Sequence, residues 1–287
     1  MTLKTSGVIA LALAAGAAAL VGALQPDPQN QSNPQGKNQP DAKPDVRELI
    51  QPAFVPPTPK PVPNLPVVKK TELEDGLIVE DMKIGEGYEV KPGGAVVAHY
   101  HGTLKSTPEK AFDSSFERGE PIAFPLSGVI MGWQKGVPGM KVGGIRRLTI
   151  PSKLGYGERG AGADIPPNSD LVFVIELVDA LQIEDVKAGE GEAVDGPCVA
   201  VTAYTIKDKD GKEIEKATSD KPYIWIPGEF QPIQFGLEGM KVGGKRRLTV
   251  PKEMNMTPPQ LMSTRPQEVP ITIDVELLVV RNLQPKR

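Results

Sequence analysis

Between Ala95 and Phe173 the chain spaces AHYHG, AFDSS, GVIMGW, GYG and IPPNSDLVF, so that Tyr100, Phe112, Phe124, Trp133, Tyr156 and Phe173 recur among tight turns. No obvious nucleophile stands among them. Aromatic side chains gathered in one small domain build an apolar pocket, in which a few polar groups orient whatever enters. Such a pocket suits a reaction whose transition state is less polar than its ground state and which asks for no acid, base or metal. The other residues with chemical reach are less complete. His99 and His101, the only histidines, lie two apart on one strand and could chelate a metal. The single Cys198 and the lack of a third histidine leave that site unfinished, so no metal is expected. The glycine pairs in GGIRR and GGKRR lack the lysine arrangement of a phosphate loop. Alternation instead sets Arg147 and Lys245 on an exposed strand face, as solvated charges.

These residues belong to a unit that occurs twice. GMKVGGIRRLTIP, Gly139 to Pro151, returns as GMKVGGKRRLTVP, Gly239 to Pro251, with 11 of 13 positions identical. IVEDMKIGEG from Ile78 returns as QIEDVKAGEG from Gln182, and VFVIELV from Val172 as TIDVELL from Thr272. Three matches in one order define a tandem of two small domains. Within a copy, alternation places Val96, Ala98 and Tyr100 on one strand face and Val97, His99 and His101 on the other. Ile145 to Ile150 reads as a short strand, and Leu171 to Val178 as a central one. Val129 to Val137 is the best short helix, with Ile130, Trp133 and Val137 on one side. An antiparallel sheet curled around one short helix follows, an α+β arrangement.

The remainder of the chain is simpler. A formal charge of −3 gives no basic footprint, so nucleic acid is not an expected partner. One cysteine excludes an intramolecular disulfide framework. Lys4 precedes an uncharged Ala/Leu/Val/Gly-rich run from Thr5 to Leu24, which reads residues 1–24 as an export signal or an N-terminal membrane anchor. Membrane contact is expected only through residues 5–24, if they are not cleaved. The protein is thus expected to be exported, periplasmic or secreted. Twelve of thirty prolines fall between Pro26 and Pro66, and residues 25–70 read as a disordered Pro/Gln-rich spacer. The alternative is a ligand for a proline-binding partner, or a segment that docks on its own domain.

The first copy, residues 71–182, resembles the FKBP-type peptidyl-prolyl cis-trans isomerases. The resemblance rests on HY-x-G, FDSS, VI-x-GW, the Gly139–Pro151 motif, YG and IPP…LVF, which stand in family order. It implies a twisted antiparallel sheet wrapping a short helix, no cofactor, and proline-containing unfolded or exported polypeptides as partners, with a macrolide inhibitor fitting the same pocket. Carried over by position, Trp133 would form the floor and Tyr100, Phe112 and Phe173 the walls. Val129 and Ile130 would lie at the rim, with the Ile130 N–H facing a substrate carbonyl. Tyr156 would offer its hydroxyl, Ile165 would close one side, and Asp113 and Arg118 would form an ion pair supporting Tyr100. A purely structural role for Asp113 is as consistent with the sequence as a catalytic one. Ile122 stands where the family commonly has an aromatic, and the turn from Gly102 to Phe112 is longer than usual.

The reaction so implied is rotation about the amide before proline, whose barrier of roughly 18–20 kcal/mol comes from resonance. A twisted imide has lost that resonance, so a dry aromatic cleft favours it over the planar form. The second copy, residues 183–287, keeps Tyr204 opposite Tyr100. It has Ile214 and Glu215 for the Phe-Asp pair, Ile233 for the tryptophan, and no GYG turn. It is therefore expected to be a degenerate, non-catalytic domain, with Met254, Met256 and Met262 in local packing or on an adaptable apolar surface. The rival reading of the whole chain is a non-enzymatic chaperone or partner-binding module using the same groove.

Overall fold

The computed structural model describes residues 57–227, 231–255 and 269–283; the expected leader and most of the proline-rich spacer lie outside them. Among the described residues no helix is long and apolar enough to cross a membrane. The first copy contains β1 (Lys69–Glu72), β2 (Ile78–Lys83), β3 (Ala95–Leu104), β4 (Thr107–Ser114), α1 (Ser115–Arg118), β5 (Ile122–Pro125), α2 (Met131–Gly136), β6 (Ile145–Ile150) and β7 (Leu171–Ala180). Its strands pair antiparallel in the order β1-β2-β6-β7-β3-β4, with β5 along the first half of β3. The second copy contains β8 (Gln182–Lys187), β9 (Cys198–Lys207), β10 (Glu213–Ala217), β11 (Tyr223–Trp225), α3 (Gln231–Leu237), β12 (Lys245–Val250) and β13 (Ile271–Asn282). Their order is β10-β9-β13-β12-β8, with β11 on β9. Apart from the edge strand β1, which has no counterpart among the described residues of the second copy, the same topology is thus built twice.

The repeated motif explains how helix and sheet are joined. Gly132 brings α2 so close to β6 that a Cβ there would stand 2.4 Å from Ile150. The buried Arg146 donates from Nε to Asp81 at 2.7 Å and from Nη1 to the Gly136 carbonyl at 2.7 Å, satisfying an orphan at the end of α2. Arg246 repeats this with Asp185 and Gly236, at 2.7 and 2.6 Å. The second arginine of each pair faces outward, yet it is not merely solvated as the alternation suggested. Arg147 meets Glu80 and Arg247 meets Asp274, each at 2.7 Å, while Lys245 lies 3.0 Å from Glu276.

Both faces of β3 are covered. Val96, Ala98 and Tyr100 enter the first core. Ala95 and Val97, with Leu181 just after β7, are at most 1% exposed and belong to the second copy's apolar cluster, against which Ala123 and Val178 also pack. β5 runs beside the turn Lys252–Met254, and the Ile183 N–H donates to the Tyr88 hydroxyl at 3.3 Å. Met254 is buried in this cluster, while Met256 and Met262 lie outside the described residues.

The end of the proline-rich segment is part of the domain, which corrects its assignment as disordered spacer for residues 58–70. The Lys60 N–H donates to the Phe116 carbonyl at 2.8 Å and its Nζ lies 3.5 Å from Glu176. The Val68 N–H donates to the Asp81 carbonyl at 2.8 Å, and β1 begins at Lys69. Alternating prolines already hold this stretch extended, so laying it on the sheet costs little chain entropy.

Candidate active site

The site is assembled by β3, β4, β5 and β7 with α1 and α2. Tyr100 points inward from the middle of β3 and is 2% exposed. Its N–H donates to Ser115 Oγ at 2.7 Å and its hydroxyl to Asp113 Oδ2 at 2.5 Å. Arg118 donates to Asp113 Oδ1 at 2.5 Å and to the Tyr100 hydroxyl at 2.9 Å, with its guanidinium 5.7 Å from the ring centre. Local sequence dictates this closure. Ser114 caps α1 by accepting from the Glu117 N–H, and Gly119 ends it in the left-handed region, so a single turn after β4 folds Arg118 back over Tyr100. Burial first, and then the bond to Asp113, push the Tyr100 hydroxyl far above its ordinary pKa, so it stays a donor at neutral pH.

Trp133 is the hub of the aromatic cluster. Its ring centre lies 5.9, 5.3 and 5.4 Å from those of Tyr100, Phe124 and Phe173, all edge-to-face. It has no exposed surface, and its Nε1–H meets no acceptor among the described residues. Phe173 stands opposite Gly102 in the β3–β7 register and meets Phe112 edge-to-face at 5.6 Å. Gly102 permits that contact, since a Cβ would stand 2.7 Å from both rings. The role of this glycine, and those of Ser114 and Ser115, were missed in the sequence reading. HY-x-G and FDSS carry all three, but their use depends on register.

The rim is half-buried. Phe112, Ile122, Ile130 and Tyr156 pack against the cluster, while Val129 and Ile165 are buried within it. Val129 and Ile130 precede the helix expected from Val129, which begins at Met131. The Ile130 carbonyl accepts from the Trp133 and Gln134 N–H groups, and Gln134 Nε2 ties the Val129 carbonyl at 2.7 Å. The Ile130 N–H donates to nothing among the described residues. Tyr156 follows the turn Ser152–Leu154, and its hydroxyl likewise has no partner among the described residues. Burial, and then the charge of Asp113, raise its pKa, so it too is a neutral donor. Ile165 accepts from the Ala161 N–H at 2.8 Å, pinning the proline loop. The long turn after Gly102 is absorbed by two register shifts in the β3–β4 hairpin. His99 and His101 stand on the opposite sheet face, where Nδ1 of each meets a serine hydroxyl, Ser115 at 3.3 Å and Ser114 at 3.1 Å.

A family model described as FKBP-type peptidyl-prolyl cis-trans isomerase matches residues 80–178 and again 189–278. The chain belongs to that family. The FKBP chain is 48% identical over 121 residues to a probable FK506-binding protein of Corynebacterium glutamicum, covering 42% of this chain and 98% of that one. It is 50% identical over 115 residues to a Saccharomyces cerevisiae protein named peptidyl-prolyl cis-trans isomerase FPR2, covering 38% and 82%. Among solved structures it is similar to FkpA from Escherichia coli, at 42% identity and a TM-score of 0.36, covering 39% of this chain and 51% of that one. This is therefore an FKBP-type isomerase with two copies of the family domain.

The second FKBP copy keeps the frame of the site with other side chains. Tyr204 stands at the Tyr100 register and donates to Glu215, as Tyr100 does to Asp113. Ile233 and Ile273 replace Trp133 and Phe173 in the core. The aromatic rings have moved to β11. Trp225 takes the Phe124 register and Tyr223 that of Ile122, packing on Tyr204 with centres 5.4 and 6.2 Å away. Trp225 Nε1 donates to Thr202 at 2.8 Å, so the donor that Trp133 leaves unpaired is satisfied here.

Proposed function

We propose that the first copy catalyses X-Pro rotation without covalent chemistry, and that it does so on exported polypeptides to assist their folding. Two donors with no partner among the described residues, the Ile130 N–H and the Tyr156 hydroxyl, border an aromatic cluster, and this observation carries the reading. A substrate proline enters among Phe112, Ile122, Ile130 and Tyr156. Because Trp133 is fully covered, it backs that rim from beneath and meets the ligand only as the rim side chains part. The two donors hold the carbonyls that flank the proline in a twisted geometry, and the apolar surround disfavours the planar, more polar imide. Lowering the barrier by about 6 kcal/mol accelerates rotation on the order of ten-thousandfold. The Asp113–Arg118 pair acts through Tyr100, holding its ring as a wall. FK506-type ligands, which give the relatives their names, occupy the same cleft in competition with peptide. The export assignment rests on the apolar run from Thr5 to Leu24.

The test is the cis-to-trans rate of a short X-Pro peptide with the full chain and with Tyr156→Phe and Trp133→Ala. Acceleration by the wild type that both substitutions reduce supports the proposal. No acceleration by a wild type that still suppresses aggregation of an unfolded protein hands the site to the chaperone reading.

A further inference from the structure

Of the strands that carry the site, β5 is held least by its own sheet. It has four residues and pairs with the first half of β3, and its other edge meets no strand among the described residues. Its inward side chains belong to the cleft. Phe124 meets Trp133 edge-to-face at 5.3 Å and Tyr100 at 6.1 Å, and Ile122 stands at the rim. Between them Ala123 points the other way and packs on the second copy's apolar cluster. The turn Lys252–Met254 lies beside β5 there, and Met254 is buried in that same cluster. The turn also reaches β7. Burial raises the pKa of Asp179, the Ala180 N–H opposes that, and the charge of Glu253 adds to it. In the second copy the counterpart of β5 is β11, and Ile224, at the Ala123 register, is 57% exposed. The strand with a backing is therefore the one that walls the cleft.

We propose that Met254, although it belongs to the second copy, is a positioning residue for the cleft of the first. It backs β5 and so holds Ile122 and Phe124 in the wall against which a substrate proline lies. A short strand paired along one edge opens locally at small cost unless its outer face is covered, and the second copy supplies that cover. An unbranched thioether side chain suits the irregular space between a turn and a strand. Met254 lies behind the sheet and acts only through β5. The kinetic consequence rests on the isomerase reading above, whereas the mechanical one does not. A wall touches the planar and the twisted imide alike, so loosening it raises KM and leaves kcat unchanged.

Peptide kinetics and hydrogen exchange across β5, both on the full chain, test this. Met254→Ala is expected to raise KM for a short X-Pro peptide about fivefold at constant kcat. It is also expected to speed exchange across β5 about tenfold relative to β6. Met254→Leu, of similar volume, is expected to restore both. Ile233→Ala, which empties the second copy's core from α3, controls for general destabilisation and is expected to change neither. If Met254→Ala unfolds the second copy by circular dichroism, the smaller truncation Met254→Val replaces it. Exchange across β5 that stays at the wild-type rate overturns the proposal, as does an equal response in Ile233→Ala. Faster exchange with an unchanged KM also overturns it, leaving Met254 a purely structural contact. A wild type that does not accelerate rotation overturns the isomerase reading instead, and the exchange rates still decide whether Met254 holds β5.

Discussion

The first and second copies share topology, the buried arginine at the end of the helix and a tyrosine–carboxylate bond, yet they differ in what their aromatic rings do. In the first, Trp133 lies at the centre of the cluster, and neither its N–H nor the donors at the rim have a partner among the described residues. In the second, two isoleucines fill the centre, and Trp225 hydrogen-bonds to Thr202. A buried donor without an acceptor costs roughly 1–3 kcal/mol. Trp133 carries that cost and Trp225 does not. The frame is what the repeat conserves within this chain; the site is what it varies.

The largest separation between the copies is expected at their centres. Trp133→Ala should cost about 3–5 kcal/mol of stability and lower kcat/KM for a prolyl peptide by at least about a hundredfold, whereas Ile233→Ala should cost about 2–5 kcal/mol and leave the rate unchanged. Denaturant melts with peptide assays on the same samples read both quantities, and an equal loss of rate in the two variants would erase the contrast. Next comes the carboxylate behind the tyrosine. Asp113→Leu should destabilise by about 1–3 kcal/mol, with the lower part favoured because Arg118 is 38% exposed and water screens the charge left behind. Glu215→Leu should not change catalysis, and its effect on melting is the control.

A smaller effect isolates the donor. Tyr156→Phe keeps the ring and removes one hydrogen bond made in the twisted state, so kcat/KM should fall about tenfold, or 1.4 kcal/mol, with no change in melting temperature. A drop in melting temperature of equal size would mean that the hydroxyl serves the fold. The smallest effect is a pH dependence that belongs to one copy. Burial holds His99 below the ordinary imidazole value of 6.5, helped by Lys60 and opposed by Glu176; burial also lowers His101, opposed by Glu117. The stability they contribute is complete above pH 6.5 and is lost as pH falls toward the folded values, because the unfolded chain takes up protons first. The second copy has Ala203 and Thr205 at these registers. The loss below about pH 6.5 should therefore flatten in His99→Gln/His101→Gln, as read by melting temperature.

Much of this was legible in the sequence because it depends on period and repetition. The Ile145–Ile150 strand and the doubling of the chain follow from alternation and from a motif repeated at a fixed offset. The side chains that meet around Trp133 were named through the family resemblance, since periodicity alone does not distinguish a cluster from an ordinary core. Contacts made by register could not be read. That Gly102 lies between two phenylalanines depends on β3 facing β7 at one setting, and a shift of one residue would remove it. The burial of Val97 depends on a neighbouring copy, which strand alternation does not contain. The placement of residues 58–70 was misjudged because composition counts few apolar groups and is blind to a backbone N–H such as that of Lys60 meeting a carbonyl.

The anchoring of Lys60 beside Phe116 also bears on self-recognition. An enzyme that grips proline is joined here to a stretch containing Pro59, Pro61, Pro63 and Pro66, tethered at high local concentration to its own cleft. Fastening Lys60 beside Glu176, whose register partner is His99, sets Pro59 and Pro61 on the side of the sheet away from Tyr100.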